Sequence, residues 1–194
     1  MKVFLQRREH APRWGYLGVP HRLDRPASGA MVLGRTRRAT QRLSEQFSSR
    51  RVEKTYWALV EGVVEPRSGT WEDVMRKVPG EARAEIANAD APGARPAVLR
   101  YRTLGTTPWG SWLAIELETG RTHQIRLQAA SRGHPILGDV QYGAQVPFGP
   151  MCDDPRERAI ALHARQLAFR HPKTHEPVSI EAPLPAFWPV HGVA

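Results

Sequence analysis

Cysteine is almost absent from this 194-residue chain: the single Cys152 excludes a disulfide framework and a cysteine-built zinc site. No apolar run approaches the ~18 residues that a membrane span requires. The opening Met1-Lys2-Val3-Phe4-Leu5-Gln6-Arg7-Arg8 also lacks the apolar stretch of a secretory signal. Together these absences predict a soluble, cytoplasmic protein with no membrane partner. There is no internal repeat and no low-complexity segment. Also missing are the G-x-x-x-x-G-K-[ST] phosphate loop, the G-x-G-x-x-G fingerprint and the G-x-S-x-G elbow, so nucleotide hydrolysis, Rossmann cofactor use and the α/β-hydrolase route lose their usual signals. The eight histidines are scattered. His171 and His175 stand four apart, but Pro172 and a turn sequence separate them, which argues against a helical metal pair. Neither a metal nor a cofactor is expected.

Lysine is scarce as well. Of the 28 basic residues 24 are arginine, against 19 acidic residues, and the formal net charge is +9. Residues 1–51 hold twelve basic residues and only Glu9, Asp24 and Glu45 on the acidic side, so this first quarter carries the whole surplus. The arginine fork suits phosphate oxygens, and such asymmetry is the electrostatic footprint of a polyanion partner. An arginine-rich composition merely displayed on a solvated face is the other reading, and charge alone leaves both open. With 41% hydrophobic and 24% charged residues, the chain has ordinary globular composition, and its length suits a single domain over residues 1–194.

Gly29-Ala30-Met31-Val32-Leu33-Gly34 is an apolar run between glycines, too short for a helix and suited to a buried strand. Thr36 can then cap a helix in which Ala39, Leu43 and Phe47 share one face while Arg37, Arg38 and Arg42 fall elsewhere. Residues 52–61 are rich in β-branched and aromatic types and predict a strand, with Lys54 and Tyr56 on one face and Thr55 and Trp57 on the other. Residues 79–96, with Pro79, Gly80, Pro92, Gly93 and Pro96, predict a loop. Strands are predicted near 98–104 and 112–118, the second burying Leu113, Ile115 and Leu117. Thr122 offers a second helix cap before 123–132, with Gly133 and Pro135 as stops. Residues 161–169 and 178–182 read as strands of a hairpin turned by Pro172-Lys173-Thr174-His175. Many strands with two flanking helices predict an α+β fold with a mainly antiparallel, mixed sheet.

Two segments concentrate polar groups around glycine turns: His21-Arg22-Leu23-Asp24-Arg25-Pro26-Ala27-Ser28-Gly29 and Glu118-Thr119-Gly120-Arg121-Thr122-His123-Gln124-Ile125-Arg126-Leu127. In the first, one carboxylate sits among guanidiniums, which favour its ionised form and keep it available as nucleophile or base. In the second, the start of a helix carries Arg121, His123 and Gln124, a geometry that attracts anions. Taken singly, Asp24 reads as a turn residue with an exposed ion pair, and Arg126 as a solvated helix side chain.

The order of motifs weighs more. His21-Arg22-Leu23-Asp24 with Ser28-Gly29, Glu53-Lys54-Thr55-Tyr56, Gly120-Arg121-Thr122-His123-Gln124-Ile125-Arg126, Gly138-Asp139 and Leu162-His163-Ala164 together resemble the RluA-type RNA pseudouridine synthases, from about residue 21 to about residue 185. The resemblance implies isomerisation of uridine to pseudouridine in ribosomal or transfer RNA, without cofactor, metal or energy source. It implies that Asp24 attacks the nucleoside, that Tyr56 lies against the target base, and that Arg126 pairs with Asp24, with Leu127 as an apolar wall. Arg22 matches the arginine that enters the RNA stack in place of the flipped nucleotide. Substrate contact is expected from Arg22 together with His21, Arg25, Lys54, Arg121, His123, Gln124 and Leu127. Two departures stand out. Ala27 replaces a common threonine, and only twenty residues precede the first motif, so the N-terminal part is expected to be shortened, with no Lys-Pro-x-Gly segment and no S4-like domain. A monomer is expected. A catalytically silent RNA-binding protein on the same domain, and a metal-dependent hydrolase using scattered His and Asp, are the competing readings.

Overall fold

The structure is a computed structural model that describes residues 15–154 and 158–190. The basic lead-in with Lys2, Arg7, Arg8 and Arg13, and the opening octapeptide, lie outside the described residues. Within them the order is β1 (Ser28–Gly29), α1 (Arg37–Ser48), β2 (Glu53–Glu61), β3 (Ser68–Lys77), β4 (Ala84–Ile86), β5 (Arg95–Thr107), β6 (Gly110–Leu117), α2 (Gln124–Ala130), a 3-10 turn Val140–Tyr142, β7 (Leu162–Arg170) and β8 (Pro177–Glu181). The strands form one sheet in the order β1-β7-β2-β6-β5-β3-β4, with β8 also pairing on β7. Only the short β1 to β7 pairing is parallel; the others are antiparallel. The expected α+β, mainly antiparallel architecture is what the chain adopts.

The central strands are buried on both faces. In β6 the run Trp112, Leu113, Ala114 and Ile115 is buried without interruption, and in β2 so are Ala58, Leu59 and Val60. The predicted alternation in β6 is therefore absent, and Leu117, at the end of the strand, is only half buried. Trp112, Leu113, Ile115, Ala58, Leu59 and Val60 join Trp71, Leu99, Ile125, Ile136, Leu162 and Trp188 in the main core. A second cluster packs α1 on the sheet edge through Leu43, Val52, Leu167 and Phe169. Leu43 is 2% exposed, and burying such a side chain contributes about 1.5–3 kcal/mol. The expected cap holds: Thr36 Oγ1 accepts the Ala39 N–H at 3.1 Å. Gln46, also buried, ties α1 to the sheet by donating to Arg170 O and accepting the Arg170 N–H, both at 2.8 Å.

Three expectations are corrected. The run 29–34 is not a buried strand: only Ser28–Gly29 is strand, and Met31 is 44% exposed. The loop 79–96 contains β4, and β3, for which no expectation existed, precedes it. Thr122 does not cap α2. His123 occupies that position with a left-handed φ of 53° and makes no side-chain cap, and the helix is only Gln124–Ala130.

Candidate active site

Asp24 opens a turn closed by the Ala27 N–H to Asp24 O bond at 3.0 Å, and Pro26 O accepts from Ile160 N–H at 3.0 Å. The chain then enters β1, where Ser28 lies beside His163 and Gly29 beside Ala164. The contact is too close for a side chain: a Cβ on Gly29, whose φ is +122°, would lie 2.3 Å from Ala164 O. His163, 1% exposed, anchors the loop from below. Its Nε2 lies 3.1 Å from Ala182 O, a carbonyl that can only accept, so Nε2 carries the proton and Nδ1 accepts the Ser28 hydroxyl at 2.8 Å. Burial pushes the His163 pKa down and keeps this neutral form.

From β1 the register runs straight across the sheet. Gly29 pairs with Ala164, Ala164 with Tyr56, and Tyr56 with Ile115. Tyr56 thereby reaches the Asp24 loop although 32 residues of sequence separate them. Burial, and then the Asp24 charge, push the Tyr56 pKa up to about 12, so at neutral pH it is a phenol that can donate a hydrogen bond.

The third element is delivered by α2. Arg126 is 3% exposed and gives Nε and Nη2 to Asp139 Oδ2 and Oδ1 at 2.6 and 2.7 Å, a bidentate pair. Nη2 also donates to Gln141 Oε1 at 2.9 Å, and the guanidinium lies 4.9 Å from the centre of the Tyr142 ring. With that edge committed, Nη1 is left facing Asp24 Oδ2 at 3.9 Å. Burial alone would lower the Arg126 pKa; the Asp139 hydrogen bonds and charge, followed by Asp24, raise it instead. Among the described residues the Asp24 carboxylate accepts no hydrogen bond, and its side chain is 20% exposed. A carboxyl group with uncommitted oxygens beside a fixed cation can attack an electrophilic carbon or take a proton.

The loop before α2 is held by Gln124, not by Thr122. Gln124 Oε1 accepts the Thr119 hydroxyl at 2.8 Å and the Arg121 N–H at 3.0 Å, while Nε2 donates to Val98 O and Gln128 Oε1. His123 Nδ1 meets the Tyr142 hydroxyl at 2.9 Å, and burial, then Arg126, lower its pKa.

These groups face a cleft of about 730 Å³. Its lining includes His21, Arg22, Asp24, Lys54, Tyr56, Arg121 and Gln124. Arg126 and His123 stand behind the wall, and Arg25 is exposed outside it. Leu127 packs away from the cleft, with Met75, Ala84, Ala97 and Tyr142. His21 is tied down: Nε2 accepts the Val32 N–H at 3.0 Å and the ring stacks on Phe47 at 4.2 Å. Burial, then Lys54, bring its pKa to about 4. Asp139, Gln141, Tyr142 and His163 were not among the predicted site residues. The motifs Gly138-Asp139 and Leu162-His163-Ala164 pointed to two of them; nothing in the sequence singled out Gln141 or Tyr142. Among the described residues no group of three or more His, Cys, Asp or Glu comes together as a metal site.

Known proteins resemble this chain in sequence and in fold. The RNA pseudouridylate synthase family model matches residues 6–131. An uncharacterised RNA pseudouridine synthase of Synechocystis is 36% identical over 87% of this chain and 50% of its own length. A Mycobacterium bovis protein of the same description is 40% identical over 87% and 53%. Ribosomal large subunit pseudouridine synthase D of Neisseria meningitidis is 38% identical over 87% and 45%. The chain thus spans about half the length of the curated relatives it matches. Among solved structures, human RNA pseudouridylate synthase domain containing 4 superposes with a TM-score of 0.75 at 24% identity, covering 96% of this chain and 78% of that one. Human RNA pseudouridylate synthase domain containing 1 gives 0.72 at 26%, over 94% and 74%. By motif order, fold and relatives alike, the chain belongs to the RNA pseudouridylate synthase family.

Proposed function

We propose that this chain is an RNA pseudouridine synthase, with Asp24 as the nucleophile. The N1–C1′ bond of a uridine breaks, the uracil turns, and a C5–C1′ bond forms; C5 loses its hydrogen as a proton and N1 gains one. Atoms and electrons balance, so neither an oxidant nor a reductant is required. The observation that carries the reading is the setting of Asp24: a carboxyl group bare of hydrogen bonds among the described residues, on the wall of a cleft and 3.9 Å from a guanidinium that Asp139 prevents from turning away.

The rest of the cleft suits that chemistry. A base inside a stack must be turned out before its glycosidic bond can be reached, at a cost of a few kcal/mol. Arg22, exposed on the cleft lining, has the planar cation that can fill the vacated space and offset part of this cost. Tyr56 supplies a flat wall and a proton donor for the turned-out uracil. Loops of structured RNA, whose bases splay out most cheaply, are the substrates of choice. The name of the Neisseria relative supports ribosomal RNA as the first candidate, with transfer RNA the other.

The test is tritium release from RNA labelled at uracil C5. The native chain releases label, and Asp24→Asn, nearly equal in shape, lowers the rate by about 10⁴-fold or more, as loss of a nucleophile does. Release that survives the substitution overturns the role of Asp24. RNA binding without any release by the native chain returns the reading of a silent RNA-binding protein.

A further inference from the structure

Lys54 lies on β2, two residues before Tyr56, and is half-buried. Among the described residues its ammonium has neither a hydrogen bond nor an ion pair. A Cβ added to Gly120 would lie 3.4 Å from Lys54 Nζ, which puts the ammonium beside the Gly120-Arg121 turn on the cleft lining. A half-buried cation with no partner is costly, and burial accordingly pulls its pKa down.

Two arginines share the cleft with it. Arg121 is fixed by the bond from its Nε to Pro96 O at 2.9 Å. Burial lowers its pKa first, and the charges of Arg50 and Arg95 lower it further; Arg50 lines the same cleft. Arg50, just after the end of α1, holds a left-handed φ of 57°, a strained state for a side-chain-bearing residue that the close of the helix maintains through Arg50 N–H to Phe47 O at 3.2 Å. Among the described residues no acid of the cleft forms an ion pair with Lys54: Glu118 is engaged by Arg100 at 2.6 Å, Asp24 lies against Arg126 at 3.9 Å, and Glu53 and Glu116 are exposed.

We propose that Lys54, flanked by Arg50 and Arg121, binds one backbone phosphodiester of the RNA, beside the nucleotide presented to Asp24. A tetrahedral anion with several oxygens satisfies both an ammonium and a planar guanidinium fork, which a neutral base edge cannot do. The inference rests on reading the chain as an RNA-acting enzyme, and it is therefore tested by binding and not by turnover.

Affinity of the full chain for a short oligouridylate is measured across a potassium chloride series. Lys54→Met should reduce the slope of log K against log salt by about 0.7, the value for one contact to a single strand. Lys54→Arg, which keeps the charge, should restore it. Oligomers carrying a neutral methylphosphonate at successive positions identify the contact: at one position the loss caused by the neutral link and the loss caused by Lys54→Met should not add. Inorganic phosphate at constant ionic strength should compete only weakly, which distinguishes an RNA phosphodiester from a free-phosphate site. An unchanged slope in a folded Lys54→Met variant, additive losses at every position, or no RNA binding by the native chain would each overturn the proposal. A lost charge in the slope alongside absent tritium release would leave the phosphate contact standing and remove only the isomerase reading.

Discussion

Arg126 is shared between two carboxylates at different distances, and the difference matters. Asp139 takes the hydrogen bonds at 2.6 and 2.7 Å, while Asp24 receives the field without a hydrogen bond at 3.9 Å. Removing Asp139 would strand a guanidinium that is 3% exposed, a change that costs about 3–5 kcal/mol in comparable buried pairs. Asp139→Ala should therefore lower the urea midpoint sharply, and adding Arg126→Met should recover part of the loss. His21 makes a pH prediction. Its folded-state pKa of about 4 lies below the ordinary 6.5, so the unfolded chain takes the proton first. Its contribution to stability is complete above pH 6.5 and shrinks as pH falls toward 4. His163 and His123, also lowered, act in the same direction. Urea midpoints between pH 7 and 4.5 should fall, and His21→Phe should flatten this dependence while reducing stability overall. The meeting of Asp24, Tyr56 and Arg126, proposed as the reacting trio, was legible in the sequence because each sits inside a motif. Leu127, expected as an apolar wall, packs with Met75, Ala84, Ala97 and Tyr142, since a helix turns successive residues by about 100° and so points Leu127 in a different direction from Arg126.

At the scale of elements, the two-residue β1 is what seats the Asp24 loop. Gly29→Ala would force a Cβ into the Ala164 backbone at a positive φ, and a loss of about 2 kcal/mol or more is expected, readable as a lower melting temperature together with lost tritium release. Most of the sheet could be read from composition: β2, β5, β6, β7 and β8 were anticipated within a few residues. β3 was not, because Ser68–Lys77 buries only Trp71 and Met75, too sparse an apolar pattern among polar residues to signal a strand. β4 has only three residues among glycines and prolines. The start of α2 was misjudged for a local reason. Gln124 folds back to hold Thr119 and Arg121, taking over the work expected of a Thr122 cap, and His123 is left free to reach Tyr142.

For the molecule as a whole, the surplus of positive charge in residues 1–51 and the cleft belong to the same face of the problem. Arg22 lines the cleft, whereas Arg38 is exposed on α1 away from it. Arg22→Ala should slow turnover by about tenfold or more with little change in the salt slope, if its role is to fill the stack. Arg38→Ala should weaken binding and reduce that slope by a fraction of one contact, with turnover at saturation unchanged. Steady-state rates and anisotropy titrations on the two variants separate these effects, and equal losses in both would contradict the division. The charge asymmetry alone could not have located the cleft, because the acids that shape it, Asp24 and Asp139, are few and far apart in sequence.

The pairing of Ser28 with His163 joins positions 135 residues apart. All three side chains of the proposed reaction lie within residues 6–131, yet the strand that seats the first of them begins only at Leu162. A nascent chain on the ribosome will thus display the complete set of reactive groups while still lacking the seat for one of them. Closing so long a loop is among the slowest steps of folding. On the proposed reading, the reactive groups are therefore in place only once β7 has been synthesised and has docked.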